Sequence, residues 1–268
     1  MDARQLYESG KLSEAISALN AEVKSNPGDL GLRTFLFELL CFNGEWDRAV
    51  KQLDVIGQQD VQLDPVAQSY RNLVSAEQSR GRFFSEGLKP DFLFDPPPDY
   101  VHTHLEAGNR LRENNDSQAK SLLDEAEENR REISGTLDGT PFKDFRDCDD
   151  LLAPILELFV VDRYIWLPFE QIATLEISAP QKPRDLLWSS CDITLSDGSP
   201  CHGFIPVLYW GSCEQDDEQI RLGRMTDWNT LDNGPILGLG QRAFFTDETD
   251  RAMLEVRNVS FHSETTAE

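Results

Sequence analysis

The sequence is poor in cations. Its 268 residues hold 25 Lys and Arg against 48 Asp and Glu, a formal charge of −23. Both halves share the imbalance, with 15 cations against 24 acids in residues 1–132 and 10 against 24 in residues 133–268. Binding a polyphosphate requires Lys and Arg to neutralise phosphates, so nucleic acid is excluded as a partner on charge. The same sign opposes docking on an anionic membrane surface. No run of about 18 apolar residues occurs, which excludes a membrane-spanning helix. The first residues, Met1 to Glu8, lack a basic region followed by an apolar one and do not read as a secretory signal. The five cysteines (Cys41, Cys148, Cys191, Cys201, Cys213) are too sparse for a disulfide scaffold and fit reduced thiols. The expectation is a soluble, acidic, cytoplasmic protein.

With 39% hydrophobic and 9% aromatic residues, the chain can bury a real core, and its length suggests two domains. The N-terminal half repeats with a period of 34. Ala15 aligns with Ala49, Gly10 with Gly44, Leu6 with Leu40, Leu12 with Trp46, Ile16 with Val50 and Leu19 with Leu53. A small residue suits the close approach of two helices, glycine suits the turn between them, and a Leu four residues beyond each Ala shares its face. Asn26-Pro27-Gly28-Asp29 ends the first unit. The period and its residue types resemble the tetratricopeptide pattern.

Further along, Pro65 should open a third helix with Val66, Tyr70, Leu73 and Val74 inward, reaching Gly81. Gly87 and Pro90 should cut its partner short. Asp95-Pro96-Pro97-Pro98 must be extended or turn, and a last helix pair is predicted over 100–113 and 117–131. Such arrays present a concave surface whose usual occupant is a peptide or helix.

After Gly135 the pattern changes to short apolar runs between turn signals. A short helix is predicted within 151–161, with Asp149 or Asp150 as its cap. Strands are predicted over 164–168, 173–177, 191–195, 204–208 and 254–259, with Asp197-Gly198 as a hairpin turn. The fold class is therefore α+β: a tetratricopeptide-like α-solenoid over 1–132, autonomous in folding, and a small mostly-β domain with long loops over 133–268.

The second half also carries distinctive strings in order: Phe145-Arg-Asp-Cys-Asp-Asp-Leu-Leu152, Tyr164-Ile-Trp-Leu-Pro168, Pro183-Arg-Asp-Leu-Leu-Trp188, Arg221-Leu-Gly-Arg-Met-Thr-Asp-Trp228 and Gly238-Leu-Gly-Gln-Arg-Ala-Phe244. Together with the helical repeat they resemble the ImpE/TagJ family, accessory proteins of bacterial type VI secretion systems. The resemblance implies a cytoplasmic, non-enzymatic protein that binds a short helical segment of the small (TssB-type) sheath subunit. It also implies a link between that sheath and the ClpV-type ATPase that recycles it.

Other chemistry finds little footing. Gly238-x-Gly240-x-x-Ala243 matches a dinucleotide fingerprint but lacks the following helix and the acid about 20 residues on, so a glycine turn is expected. Cys191, Cys201, His202 and Cys213 lack the close ligand pair of a zinc site. His102 and His104 sit two apart in a helix and face apart. Asp144, Asp147, Asp149 and Asp150 lack the glycine of a calcium loop and are expected to cap a helix. No cofactor, metal or catalytic residue is assigned.

Two surfaces compete for a partner helix. One is the solenoid's inner face, marked by Arg4, Tyr7, Thr34, Glu38, Cys41 and Asn72. The other is the cluster Arg221, Arg224 and Trp228, of residue types enriched in binding hot spots; the alternative for its arginines is to anchor an irregular loop. A rival of another class is a small-molecule or metal-dependent enzyme in the β domain, using His202 or the Arg224/Asp227 pair. A third is a structural subunit of a larger assembly.

Overall fold

The structure, a computed structural model, describes residues 1–247 and 249–262. The helices are α1 Ala3–Glu8, α2 Leu12–Ser25, α3 Leu30–Phe42, α4 Trp46–Gln59, α5 Asp64–Glu86, α6 Asp99–Arg112, α7 Asp116–Asn129 and the single turn α8 Glu218–Arg221. None of the helices among the described residues is long and apolar enough to cross a membrane.

The 34-residue period becomes two stacked hairpins, α1/α2 and α3/α4. Gly10 and Gly44 sit in the two turns at φ +81° and +70°, a region open to glycine without steric cost. Ala15 and Ala49 are fully buried where the helices close on one another. Along α2, the buried Leu12, Ala15, Ile16, Leu19 and Val23 form one stripe at helical spacing.

The third unit departs from expectation. Gly81 ends no helix: α5 runs unbroken for 23 residues and stops at Gly87, which adopts φ +79° as its C-cap. Gly81 instead admits a ring, since a Cβ there would fall 2.6 Å from Trp210. Val66, expected inward, is 52% exposed, whereas Leu73 and Val74 are buried. Helices α6 and α7 form a further hairpin.

The strands are β1 Gly135–Leu137, β2 Thr140–Phe142, β3 Phe145–Asp147, β4 Ile155–Val160, β5 Arg163–Pro168, β6 Ile172–Ile177, β7 Trp188–Leu195, β8 Pro200–Pro206, β9 Thr226–Thr230, β10 Ile236–Gly240, β11 Ala243–Thr246, β12 Thr249–Ala252 and β13 Asn258–Phe261. Eight make one antiparallel sheet in the order β2-β1-β13-β6-β7-β8-β4-β5, beside a three-stranded sheet β12-β11-β3 and the β9/β10 hairpin. The β7/β8 hairpin turns at Asp197-Gly198, with Gly198 at φ +85°.

Two local expectations are corrected. The helix predicted within 151–161 is only a 3-10 turn, Asp150–Leu152, capped by the Asp149 side chain; the rest is strand β4. An apolar run buried on both faces has no periodicity to separate strand from helix. The strand predicted over 254–259 divides into a 3-10 turn, Met253–Glu255, and β13, which lies between β1 and β6.

Helix α5 joins the two parts. Its Phe83 ring meets Trp166 of β5 edge to face at 4.8 Å, and one continuous core of buried side chains runs from α1 to β13.

Candidate functional site

The solenoid's inner face is closed by the chain's own C-terminal region. At its N-terminal end, Glu218 of α8 accepts hydrogen bonds from the backbone N–H groups of Leu12 and Ser13, each 2.8 Å, and so caps α2 from another part of the chain. Gln219 donates to the Gly10 carbonyl at 3.3 Å. Arg224 donates to the carbonyls of Tyr7 (2.6 Å) and Glu8 (3.1 Å), and its guanidinium lies 5.4 Å from the Tyr7 ring centre. In the middle, Arg184 donates to Glu38 at 2.9 Å and lies 4.6 Å from the Tyr70 ring centre. Trp188 packs near Phe37 and Trp46 and donates its indole N–H to Glu77 at 3.0 Å.

Each candidate residue can now be placed. Arg4 is exposed and stacks over Phe35 at 4.7 Å. Tyr7 is buried edge-on to Phe35 beneath Arg224. Thr34 donates its hydroxyl to Leu30 of its own helix, and Asn72 accepts from Gln68. Glu38 is buried; desolvation raises its pKa against the opposing pull of Arg184. Cys41 is fully buried, and its thiol is pushed well above the usual range by burial and by Glu77 and Glu38. Arg221 lies 3.9 Å from Glu218. Trp228, half-buried on β9, packs 6.0 Å from the Tyr209 ring.

The structure thus unites Arg4, Tyr7 and Arg224 at one end of the inner face and puts Glu38 and Cys41 in its middle. Trp228 stands apart, against Tyr209.

Behind this face lies a buried ionic core that sequence reasoning missed. Arg80 of α5 grips Glu157 of β4 with two hydrogen bonds of 2.8 Å, and also bonds Glu77 (2.8 Å) and the Leu208 carbonyl (3.0 Å). Arg242 completes the cluster by pairing with both Glu157 and Asp147. Tyr164 donates to Glu157 at 2.5 Å, and Tyr209 to Asp147 at 2.7 Å. Burial would raise the pKa of Glu157, but Arg80 and Arg242 hold it down to about 2. One signal existed: Glu77 and Arg80 interrupt an otherwise apolar stripe formed by Leu73, Val74, Phe83 and Phe84. Of the four acids expected to cap a helix, Asp149 does so, whereas Asp147 belongs to this core. Asp144 and Asp150 pair with Arg130 and Arg146.

The glycine motif is spent on structure. Gly238 N–H donates to Asp149 and Gly240 N–H to the Ser212 hydroxyl, each at 2.8 Å, so the amides a pyrophosphate would need are taken. Strand β11 follows where a helix would be needed, and a Cβ at Gly238 would fall 2.3 Å from the Tyr209 ring. Among the described residues no group of three or more His, Cys, Asp or Glu is placed to hold a metal. His104 is buried with Nδ1 2.8 Å from the Leu151 carbonyl; His202 is exposed beside Asp192.

An apolar cleft of about 210 Å³ opens between α5, α6 and β10, lined by Phe83, Phe84, Leu111, Trp210 and Leu237. Beside it, on the outer face of α5, runs a shallower groove of about 490 Å³ bounded by Trp46 and Trp210.

Comparison with known proteins agrees with this architecture. A family model described as ImpE protein matches residues 139–260, and a tetratricopeptide repeat model matches residues 6–73. Over 261 residues the chain is 35% identical to the type VI secretion system accessory component TagJ of Pseudomonas aeruginosa, covering 97% of this chain and 91% of that one. The chain belongs to the ImpE/TagJ family. The crystal structure of protein VPA1032 from Vibrio parahaemolyticus has the same fold, with a TM-score of 0.91, 26% identity and 99% of each chain covered. The described residues of this chain accordingly form a tetratricopeptide-like helical region followed by a mostly-β region.

Proposed function

We propose that this member of the type VI secretion accessory family is a non-enzymatic adaptor of the cytoplasm. In this reading it captures a short helix of the small, TssB-type sheath subunit and so links the sheath to the ClpV-type ATPase that recycles it. The observation that carries the reading is the 35% identity to an accessory component across 97% of the chain.

The geometry supports a binding role over the enzyme alternative. Arg224 is committed to backbone carbonyls of α1, and Asp227 bonds the neighbouring Trp228 N–H. The apolar cleft, at about 210 Å³, is below the roughly 300–1,000 Å³ usual for small-molecule sites. It has room for one or two large side chains, the scale of an anchor from a docking helix.

Calorimetry of the full chain with a synthetic peptide of the sheath subunit's N-terminal helix tests the reading. Saturable binding is expected. No heat with the peptide and no complex with the intact sheath subunit would overturn it.

A further inference from the structure

We propose that strand β9 is an interface between two copies of this chain, pairing with itself antiparallel in a register centred on Trp228. The inference stands whatever partner the adaptor takes.

The hairpin ladder fixes which backbone groups of β9 are free to pair. On β10, the N–H groups of Ile236, Gly238 and Gly240 donate away from β9, to Asp150, Asp149 and the Ser212 hydroxyl, each at 2.8 Å. Antiparallel strands alternate bonded and non-bonded pairs, so Leu237 and Leu239 hold the hairpin through their register partners Asn229 and Asp227. The backbone N–H and C=O groups of Thr226, Trp228 and Thr230 therefore point to the outer edge. No strand pairs with that edge among the described residues. At its centre the Trp228 N–H turns to the side chain of its own neighbour, Asp227 Oδ1 at 2.8 Å. Asp227, Asn229 and Thr230 are exposed, and Thr226 and Trp228 are half-buried.

The other sheet edges are guarded. Asp91 bridges β5, its N–H and C=O bonding Tyr164 and Trp166 at 2.9 and 3.0 Å. Strand β3 donates its Asp147 N–H to the Ala153 carbonyl at 2.9 Å. Strand β2 holds Pro141, and β12 holds the charged Asp250 and Arg251, residue types that keep an edge from pairing. An edge left open is a template for another strand.

The sequence of β9 selects its own copy as that strand. Thr226-Asp-Trp-Asn-Thr230 presents similar chemistry from either end. Turned antiparallel on a second copy about Trp228, Thr226 faces Thr230, Asp227 faces Asn229 and Trp228 faces Trp228. A twofold interface requires such self-complementarity. Thr–Thr and aromatic pairs are favourable opposite one another, and no acid meets an acid although 48 of the 268 residues are acids. Residues 226, 228 and 230 then form the hydrogen-bonded pairs, joining the two hairpins into one sheet. Leu237 of β10 lines the apolar cleft, so the dimer carries two clefts. A five-residue strand buries less than the roughly 1,200–2,000 Å² of a stable complex, and two chains of charge −23 repel. The dimer is therefore weak and reversible, and salt strengthens it by screening that repulsion.

Sedimentation equilibrium of the full chain tests this. A monomer–dimer equilibrium with a Kd in the micromolar range is expected, tightening as salt is raised. Asn229→Asp, at an exposed position, sets Asp against Asp on both sides of the twofold axis and is expected to weaken the dimer about tenfold. Adding Asp227→Asn to that variant restores the Asp–Asn pair in reverse and should return the affinity to within threefold of the unmutated chain. Melting curves verify that both variants fold. Residue-resolved hydrogen exchange should show the Thr226, Trp228 and Thr230 amides gaining protection as concentration rises. The Asp227 and Asn229 amides, already bonded within the hairpin, should not change. A chain that stays monomeric into the millimolar range overturns the inference. A dimer that Asn229→Asp leaves intact, with no added protection at those three amides, overturns it equally by placing the contact elsewhere.

Discussion

Two seams hold the helical and β regions together, and they use the same residue types to different ends. At the α5 seam, Arg80 and Arg242 are fully buried with Glu157 and Asp147, out of reach of water. At the inner-face seam, Arg224 is exposed and reaches backbone carbonyls, while Glu218 caps a helix from the side. A buried guanidinium cannot be removed without stranding its carboxylates in a low-dielectric interior. At the rim, water replaces whatever is lost. The first seam therefore fixes the fold, and the Arg224 and Glu218 contacts at the rim of the second align surfaces with little contribution to stability.

The largest effect should come from breaking the buried seam. Arg80→Met leaves Glu77 and Glu157 short of a partner and is expected to cost about 3–5 kcal/mol in denaturant unfolding. An isolated fragment 1–132 removes Glu157 from Arg80 as well, so it should melt below the full chain. A fragment as stable as the full chain, or a loss under 1 kcal/mol in Arg80→Met, would place the seam with the rim.

A pH experiment sharpens the same contrast at one buried turn, where His104 meets the Leu151 carbonyl and Asp149 accepts from the Leu151 N–H. Burial lowers the His104 pKa from 6.5 to about 4, so its stabilising contribution is present above 6.5 and lost as pH falls through 4. Burial, reinforced by Asp147, raises Asp149 from 3.8 to about 7, so its contribution is present below 3.8 and lost as pH rises through 7. The two opposing effects are each on the order of 3 kcal/mol and nearly cancel between. Relative to the unmutated chain, Asp149→Asn should show stability rising from pH 4 to 6.5. His104→Gln should show it falling from pH 4 to 7. Parallel profiles for all three proteins would count against both assignments.

Within the helical region, Ala49→Leu overpacks the α3/α4 hairpin and should cost about 1–3 kcal/mol by thermal unfolding. The smallest change is expected at the rim. Arg224→Ala should cost at most about 1 kcal/mol, with a stability difference that shrinks at high salt. A cost matching that of Arg80→Met would erase the distinction between the seams.

The α+β class, the 34-residue hairpins, the Asp197-Gly198 turn and the family were all legible in the sequence. The first three depend on spacing within a few tens of residues, where helical or strand periodicity and glycine's freedom act locally, and the family was carried by short strings in order between Phe145 and Phe244. Gly81 was misread because glycine serves turns and close approaches alike, and only the position of Trp210, distant in sequence, separates the two uses. The run Ile155–Val160 was misread because burial on both faces erases periodicity. Arg80 and Glu157 lie 77 residues apart, and Glu218 caps a helix 206 residues before it. In a chain with 48 acids and 25 cations no pairing rule selects those partners. Which charges meet, and which faces of the solenoid stay open, was decided by the packing of the sheet against α5, because burial alone makes one pairing among many indispensable.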